Sequence, residues 1–328
     1  MRALVTGATG FVGGNLARGL VCEGVEVRAL VRDEGHHPAL EGLRVERTRG
    51  DVEDPDSLRA AVRGCDVVFH VAALTALWDR DPSRHHQVNV VGTRNVLAAA
   101  EAAGVERVVH TSTWVVVGRP EEGLLAREDN QPTRSDLRGP YRLTKWLAER
   151  EVRTAVTRGQ NVVIASPTVP IGPWDVKPTP TGRIVLDFIR GRMPVAIGVH
   201  LNLIDVEDVV QGHIAAWRRG STGERYLLGN WNTTLPEVCS VLSGITGRRP
   251  PRLKAPVPLV LAAAYVDALL EGVILRRQPY IPLEAARLAQ RRMAVDCTKA
   301  VSELGLPQSS IAGALEKSVR WFRDHDYT

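Results

Sequence analysis

The segment GPYRLTKWLAE, Gly139–Glu149, carries a phenol and an ammonium group four residues apart, at Tyr141 and Lys145. Gly139 can cap a helix here, and Pro140 suits its first position, where the missing N–H costs nothing. Leu143, Leu147 and Val152 then recur at roughly helical spacing. Residues four apart on a helix share a face, so the two side chains project together. Such a pair can pass a proton to or from a substrate oxygen. The same spacing also describes a solvated lysine above a half-buried tyrosine, and the pair alone does not separate the two readings.

A second constellation opens the chain. In ALVTGATGFVGGNLARGL the apolar run Ala3 to Val5 precedes Gly7, Gly10 and Gly13, and Phe11, Val12, Leu16 and Leu20 continue at helical spacing. The pattern is strand, glycine turn, helix. Gly7 makes the tight turn, Gly10 lets the backbone approach a pyrophosphate, and Gly13 lets helix and strand pack closely. The helix N-terminus offers free N–H groups to the phosphates. This is a dinucleotide site. The next strand, VEVRALV, ends at Arg32 and Asp33. An arginine there accommodates the 2′-phosphate of NADP, whereas an acid binds the 2′-hydroxyl of NAD. Arg32 comes first, so NADP(H) is favoured, and Asp33 keeps NAD(H) open.

The elements that must position these groups alternate. LRVERTRGDVED reads as a third strand ending near Asp51, and DSLRAAV as a helix. CDVVFHVAAL is a fourth strand running into a small-residue turn, His70 to Ala73; RNVLAAAEAAG is a helix. VERVVHTST is a fifth strand and NVVIASP, Asn161 to Pro167, a sixth. Alternation of this kind builds a parallel sheet covered on both faces, with ligands at the C-terminal ends of its strands. Those ends hold Gly7–Gly13, Arg32, Asp51, Ala72–Ala73, Thr111–Thr113 and Ser166–Thr168, and the Tyr141 helix enters just after the fifth.

The 328 residues suffice for one large domain or two medium ones, and the net charge is +5. The arginines are scattered, with small clusters at Arg248–Arg249, Arg276–Arg277 and Arg291–Arg292. No nucleic-acid module is present. Cys22, Cys65, Cys239 and Cys297 lack metal-ligand or redox spacing, so reduced thiols in a cytoplasmic protein are expected. The chain starts with MRALVTGATG, without a charged-then-apolar leader. The most apolar window, Val257 to Leu275, contains Asp267 and Glu271 and reads as a buried or lid helix rather than a span, with peripheral membrane contact left open. The pairs His36–His37 and His85–His86 lack a nearby acid or cysteine in sequence and read as surface, so no metal site is expected.

Taken in order, these motifs resemble the extended short-chain dehydrogenase/reductase family. The carriers are TGATGFVG, GDVEDPDSL, HVAAL, NVVGTRNVL, TST, YRLTK, SPTVPIGP and LIDVEDVV, over nearly the whole chain. Within the family the chain is similar to the hopanoid-associated sugar epimerase group, itself like dihydroflavonol 4-reductases, through KPTPTGRIVLDFIRGRMP, LNLIDVEDVVQGH and GERYLLG. Asp205 stands where members often carry histidine, and Thr113–Trp114 where a serine and a small residue are commoner.

The resemblance implies a Rossmann-type doubly wound α/β domain over 1–172, with a returning strand near 223–229 and a smaller, interleaved substrate-binding region over 173–328. It implies an NAD(P)(H)-dependent oxidoreductase in which Tyr141 passes the proton, Lys145 bonds the nicotinamide ribose and lowers the phenol's pKa, and Thr113 rather than Ser112 holds the substrate oxygen. Asn89 orders a water or backbone group near Lys145. Cofactor contacts are expected at Gly7, Thr9, Gly10, Phe11, Val12, Gly13, Arg32, Asp51, Val52, Ala72, Ala73, Pro167, Thr168 and Val169, besides Tyr141 and Lys145. Substrate contacts are expected among Trp78, Trp114, Ile171, Trp174, Arg183 and Leu201. Three readings compete: an NADPH-dependent ketone or aldehyde reductase, a nucleotide-sugar epimerase or dehydratase with tightly held NAD, and a non-catalytic cofactor sensor. Both Tyr141 and Lys145 are present, which disfavours the last. A small-molecule substrate and a homodimer complete the expectation.

Overall fold

The computed structural model describes residues 1–193, 195–251, 253–275, 277–290 and 294–328. Of the basic pairs, Arg276, Arg291 and Arg292 lie outside the described residues.

Seven strands form one parallel sheet. They are β1 (Arg2–Thr6), β2 (Glu26–Val31), β3 (Glu46–Arg49), β4 (Val67–His70), β5 (Arg107–Thr111), β6 (Val162–Pro167) and β10 (Arg225–Leu228), in the order β10-β6-β5-β4-β1-β2-β3. Ala3 pairs with Val27 on one side and Val67 on the other, so β1 is central and the strand order reverses beside it. That reversal opens the crevice between the ends of β1 and β4 where α/β sheets take ligands.

Both faces are covered, as buried parallel strands require. On one face α1 (Phe11–Cys22), α7 (Val206–Arg219) and α11 (Thr298–Leu304) pack Leu16, Leu20, Val209, Ile214 and Leu304 against Val5, Phe69 and Val163. On the other, α2 (Pro55–Val62), α4 (Gly92–Ala102) and α5 (Pro140–Thr157) bring Leu58, Val62, Val96 and Val152 against Leu4, Val68 and Ile164. A short α3 (Ser83–His86) runs through a π-helical turn, Gln87–Val91, into α4.

A second core lies beyond the sheet's C-terminal edge. Strands β7 (Val169–Ile171), β9 (His200–Asp205) and β11 (Trp231–Thr234) form a small sheet, β9 antiparallel to β11. On it pack α6 (Pro180–Ile189), α8 (Leu235–Thr246) and α12 (Ile311–Asp324), through Leu186, Phe188, Val238, Leu242, Leu315 and Phe322. The strands β8 (Val195–Ile197) and β12 (Leu253–Ala255) pair alongside. After β12 come α9 (Val257–Asp267), a π-helical segment Ala268–Ile274, and α10 (Leu283–Ala289). No helix among the described residues is long and apolar enough to cross a membrane. Nor do three His, Cys, Asp or Glu side chains gather there as a metal-ligand set.

Candidate functional site

The glycine turn is built as a phosphate cradle. Gly7 has φ +70°, and a Cβ there would lie 2.7 Å from the Ala72 amide nitrogen. A Cβ on Gly13 would lie 2.7 Å from the Gly7 carbonyl carbon, so helix and strand touch backbone to backbone. Helix α1 starts at exposed Gly10 with no side-chain cap, which leaves its first N–H groups to bind an anion. Thr9 is half-buried beside them, and the Phe11 ring is buried beneath. The residues present fit a dinucleotide pyrophosphate. Arg32 is exposed just past β2, whereas Asp33 accepts the Gly35 amide at 2.9 Å and lies 3.7 Å from His37. Asp51 is half-buried after β3 and accepts the Glu53 amide at 3.1 Å. Val52 packs beneath it against Gly92. Pro167 ends β6, and Thr168 returns both its amide and its hydroxyl to the Leu228 carbonyl, at 2.9 and 3.1 Å.

Helix α5 carries both Tyr141 and Lys145. Lys145 is 3% exposed and donates to the Thr111 carbonyl at 2.7 Å, which fixes its ammonium behind the end of β5. Burial pulls it down to about 8, against the pull of the Glu149 carboxylate. Tyr141 is hydrogen-bonded to Thr113 and packs with Trp114, Val115 and Val169. Burial pushes its phenol up to about 12; the Thr113 bond opposes that rise and the Glu284 carboxylate adds to it. The expected fall is therefore corrected for the protein's own groups. Lys145 spends a bond on Thr111 and does not offset the desolvation of the phenol.

Asn89, in the π-helical turn, takes a backbone group rather than leaving its amide free. Its Oδ1 accepts the Leu74 amide at 2.7 Å, and its Nδ2 donates to the Leu74 carbonyl at 3.1 Å and to Thr144 Oγ1 at 3.0 Å. It clamps the turn after β4 to the catalytic helix. Ser112 donates to Glu149 at 2.9 Å, so its hydroxyl is committed and Thr113 is left to face Tyr141.

Buried polar residues distant from one another in sequence complete the support. Thr6 Oγ1 accepts the amides of Val71 and Ala72, at 3.2 and 3.1 Å, so its own hydrogen goes to His70 Nδ1 at 2.9 Å. His70 Nε2 then donates to Thr93 at 3.0 Å, and Thr93 to the Asn89 carbonyl at 2.6 Å. Neutral imidazole is the form this chain of bonds needs, and burial accordingly pulls His70 down to about 3. Glu149, 2% exposed, pairs with buried Arg225 of β10 and with Arg153 at 3.0 Å. Glu284 of α10 reaches the head of α5, where the Arg142 amide donates to it at 3.3 Å. His85, read as surface, is buried and meets the Ala76 carbonyl at 2.9 Å.

The substrate candidates do not all converge. Trp114 is buried against Tyr141. Trp78 lies beside Gly272 of the segment after α9. Ile171 and Leu201 belong to the second core. Trp174, at φ +67°, is sandwiched by the Arg18 guanidinium, 3.4 Å from its ring centre, and by Trp321 and His325. Arg183 is exposed and donates to the nearby Pro178 carbonyl at 3.4 Å. Asp205 caps α7 through the Glu207 amide at 3.0 Å and pairs with Lys317 at 2.6 Å.

The chain is 45% identical to a dihydroflavonol 4-reductase, so named, of Synechocystis sp., over 98% of this chain and 95% of that protein. It is 37% identical to the sterol demethylase protein B of Methylococcus capsulatus, over 99% of each. The crystal structure of gox2253 superposes with a TM-score of 0.88 at 36% identity, over 99% of both chains. The profile of the NAD dependent epimerase/dehydratase family matches residues 3–229. With that match, the sheet order and the glycine cradle in agreement, the chain belongs to the NAD dependent epimerase/dehydratase family, within the extended short-chain dehydrogenases/reductases, and is an NAD(P)-dependent oxidoreductase.

Proposed function

We propose that the protein is an NADPH-dependent reductase of an apolar ketone or aldehyde. The observation that carries this reading is the wall around Tyr141 and Thr113. Tyr141 packs against an apolar cluster that holds Trp114, Val115, Val116, Leu227 and Val295, with Leu288 beside it. A nucleotide sugar needs cations for its pyrophosphate. Two full-length relatives are named for a dihydroflavonol and a sterol, both fused-ring molecules without a pyrophosphate.

In this reading the glycine turn would hold the dinucleotide by its pyrophosphate, and the cofactor's nicotinamide would supply the hydride. Thr113 donates a hydrogen bond to the carbonyl oxygen and Tyr141 gives that oxygen its proton. A phenol pushed up to about 12 is fully protonated at neutral pH, the form a proton donor needs. Lys145 holds the ribose and helps the phenol regain its proton. Asn89 keeps the turn after β4 fixed against α5. Exposed Arg32, with Asp33 engaged in its own turn, favours the 2′-phosphate of NADPH.

An epimerase reading draws on a different place, a cavity of about 570 Å³ lined by Arg190, Arg192, Arg248 and Arg323. Denaturing the purified protein and identifying released cofactor by mass spectrometry separates the two. An empty site that then oxidises NADPH on lipophilic ketones or aldehydes supports the reductase. Stoichiometric NAD carried through purification, without such turnover, overturns it.

A further inference from the structure

The outer side of α9 and of the π-helical segment after it is apolar and faces outward. Leu259, Val266, Leu269, Leu270, Ile274 and Leu275 are each 50–64% exposed. Scattered single exposures need no explanation, but a contiguous patch marks an interaction surface. Of the two acids in the run, Asp267 turns inward and accepts the Ile281 amide at 2.7 Å, and Glu271 is half-buried. Tyr265 and Tyr280, at 49% and 88% exposure, stand at its margin, the place amphipathic rings take at a membrane interface.

The rim is positive. Arg287 lies over the Tyr265 ring, 5.6 Å from its centre, and donates to its hydroxyl at 3.2 Å. Arg138 and Arg277 are exposed on the same margin, Arg138 near enough to act on the Tyr265 hydroxyl and Arg277 closing the segment's last turn onto the Glu271 carbonyl at 2.8 Å. A second copy of this chain, docked across a two-fold axis, would set that positive rim against itself, which repels. Lipid headgroups of negative charge satisfy it instead. The patch also adjoins the site: Gly272 lies against Trp78, and α10, directly after it, seats Glu284 at the head of α5.

We propose that this face docks on an anionic lipid bilayer, with α9 lying in the plane of the headgroup boundary and the Trp78 side of the crevice turned toward the lipid. Apolar area burial and the arginine rim then act together, as in monotopic proteins. The proposal goes beyond the reductase reading and does not need it.

The test is flotation of the full chain with phosphatidylcholine vesicles, with and without phosphatidylglycerol. A variant carrying Leu259→Ser, Leu269→Ser and Ile274→Ser removes only exposed side chains, and its melting curve checks the fold. The parent is expected to float with the phosphatidylglycerol vesicles, about tenfold or more above the variant, and to be released in part by salt. Equal flotation of parent and variant overturns the proposal. So does no flotation, including the case in which sedimentation shows a dimer of the parent that the variant abolishes. Flotation requires no turnover, so its failure leaves the reductase reading standing, and an inactive protein that floats leaves docking standing.

Discussion

The carboxylate of Glu284 occupies the notch left by the missing side chain of Gly139. A Cβ on Gly139 would lie 2.6 Å from both carboxylate oxygens, and its φ of +114° already favours glycine. Gly139 gives α5 no side-chain cap, so a residue 145 positions on supplies the negative charge its N-terminus favours. The same carboxylate faces Arg142 Nε at 3.6 Å, with both side chains almost fully buried. Removing one partner of such a pair strands the other, at about 3–5 kcal/mol. Glu284→Ala is therefore expected to lower the Tm by several degrees, and adding Arg142→Met is expected to recover much of that loss. Thermal unfolding of the parent, both single variants and the double variant checks it; additive losses would show that the two groups do not interact.

Tyr141→Phe removes the proposed proton donor and leaves the ring that packs against the Trp114 cluster. General acid catalysis contributes about 10²–10⁴ in rate, so kcat is expected to fall by that range while the Kd for NADPH stays within a few-fold. Thr113→Val is expected to cost about 10² through the lost donor to the developing oxyanion. Near-normal turnover by Tyr141→Phe would assign the proton to another group.

The sheet could be read from the chain because its strands are short apolar runs between glycine turns and helical spacings, and buried parallel strands have that signature. The small strands β7 and β11 escaped because three or four residues carry too little pattern. The hydrophobic pattern of α5 misleads for a different reason. Its buried face is written in Arg142, Thr144, Lys145 and Glu149, while Leu143 is 42% exposed. Polar residues there are satisfied by partners distant in sequence, Asn89, Thr111, Arg225 and Glu284, and no local rule finds those. The direction of the Tyr141 shift was hidden likewise, because it is set by burial of the phenol, which exceeds the opposing Thr113 bond and which only the fold creates.

In the proposed reading, cofactor choice rests on Arg32. A charge-assisted hydrogen bond contributes about 1.5–3 kcal/mol, which is roughly 10–100-fold in affinity. Arg32→Ala is expected to weaken NADPH binding by that factor and leave NADH unchanged, measured by cofactor fluorescence. Equal losses for both cofactors would place Arg32 away from the 2′-phosphate.

Asp175 gives the fold a pH dependence with a definite sign. It is 1% exposed and accepts from the Thr179 amide and hydroxyl, the latter at 2.7 Å. Burial nevertheless pushes its carboxyl up from 3.8 to about 6. The folded state then holds this proton more tightly than the unfolded chain, so the contribution to stability is full below the unfolded pKa and is lost as pH rises through about 6. Two units correspond to about 3 kcal/mol. Asp175→Asn keeps one acceptor for Thr179 and carries no charge at any pH. It is expected to match or fall below the parent near pH 4 and to exceed it by up to about 3 kcal/mol above pH 6.5, in urea unfolding across that range. A variant less stable than the parent at pH 7.5 would mean that the hydrogen bonds from Thr179 outweigh burial, and that the ionised carboxylate is the form the fold prefers.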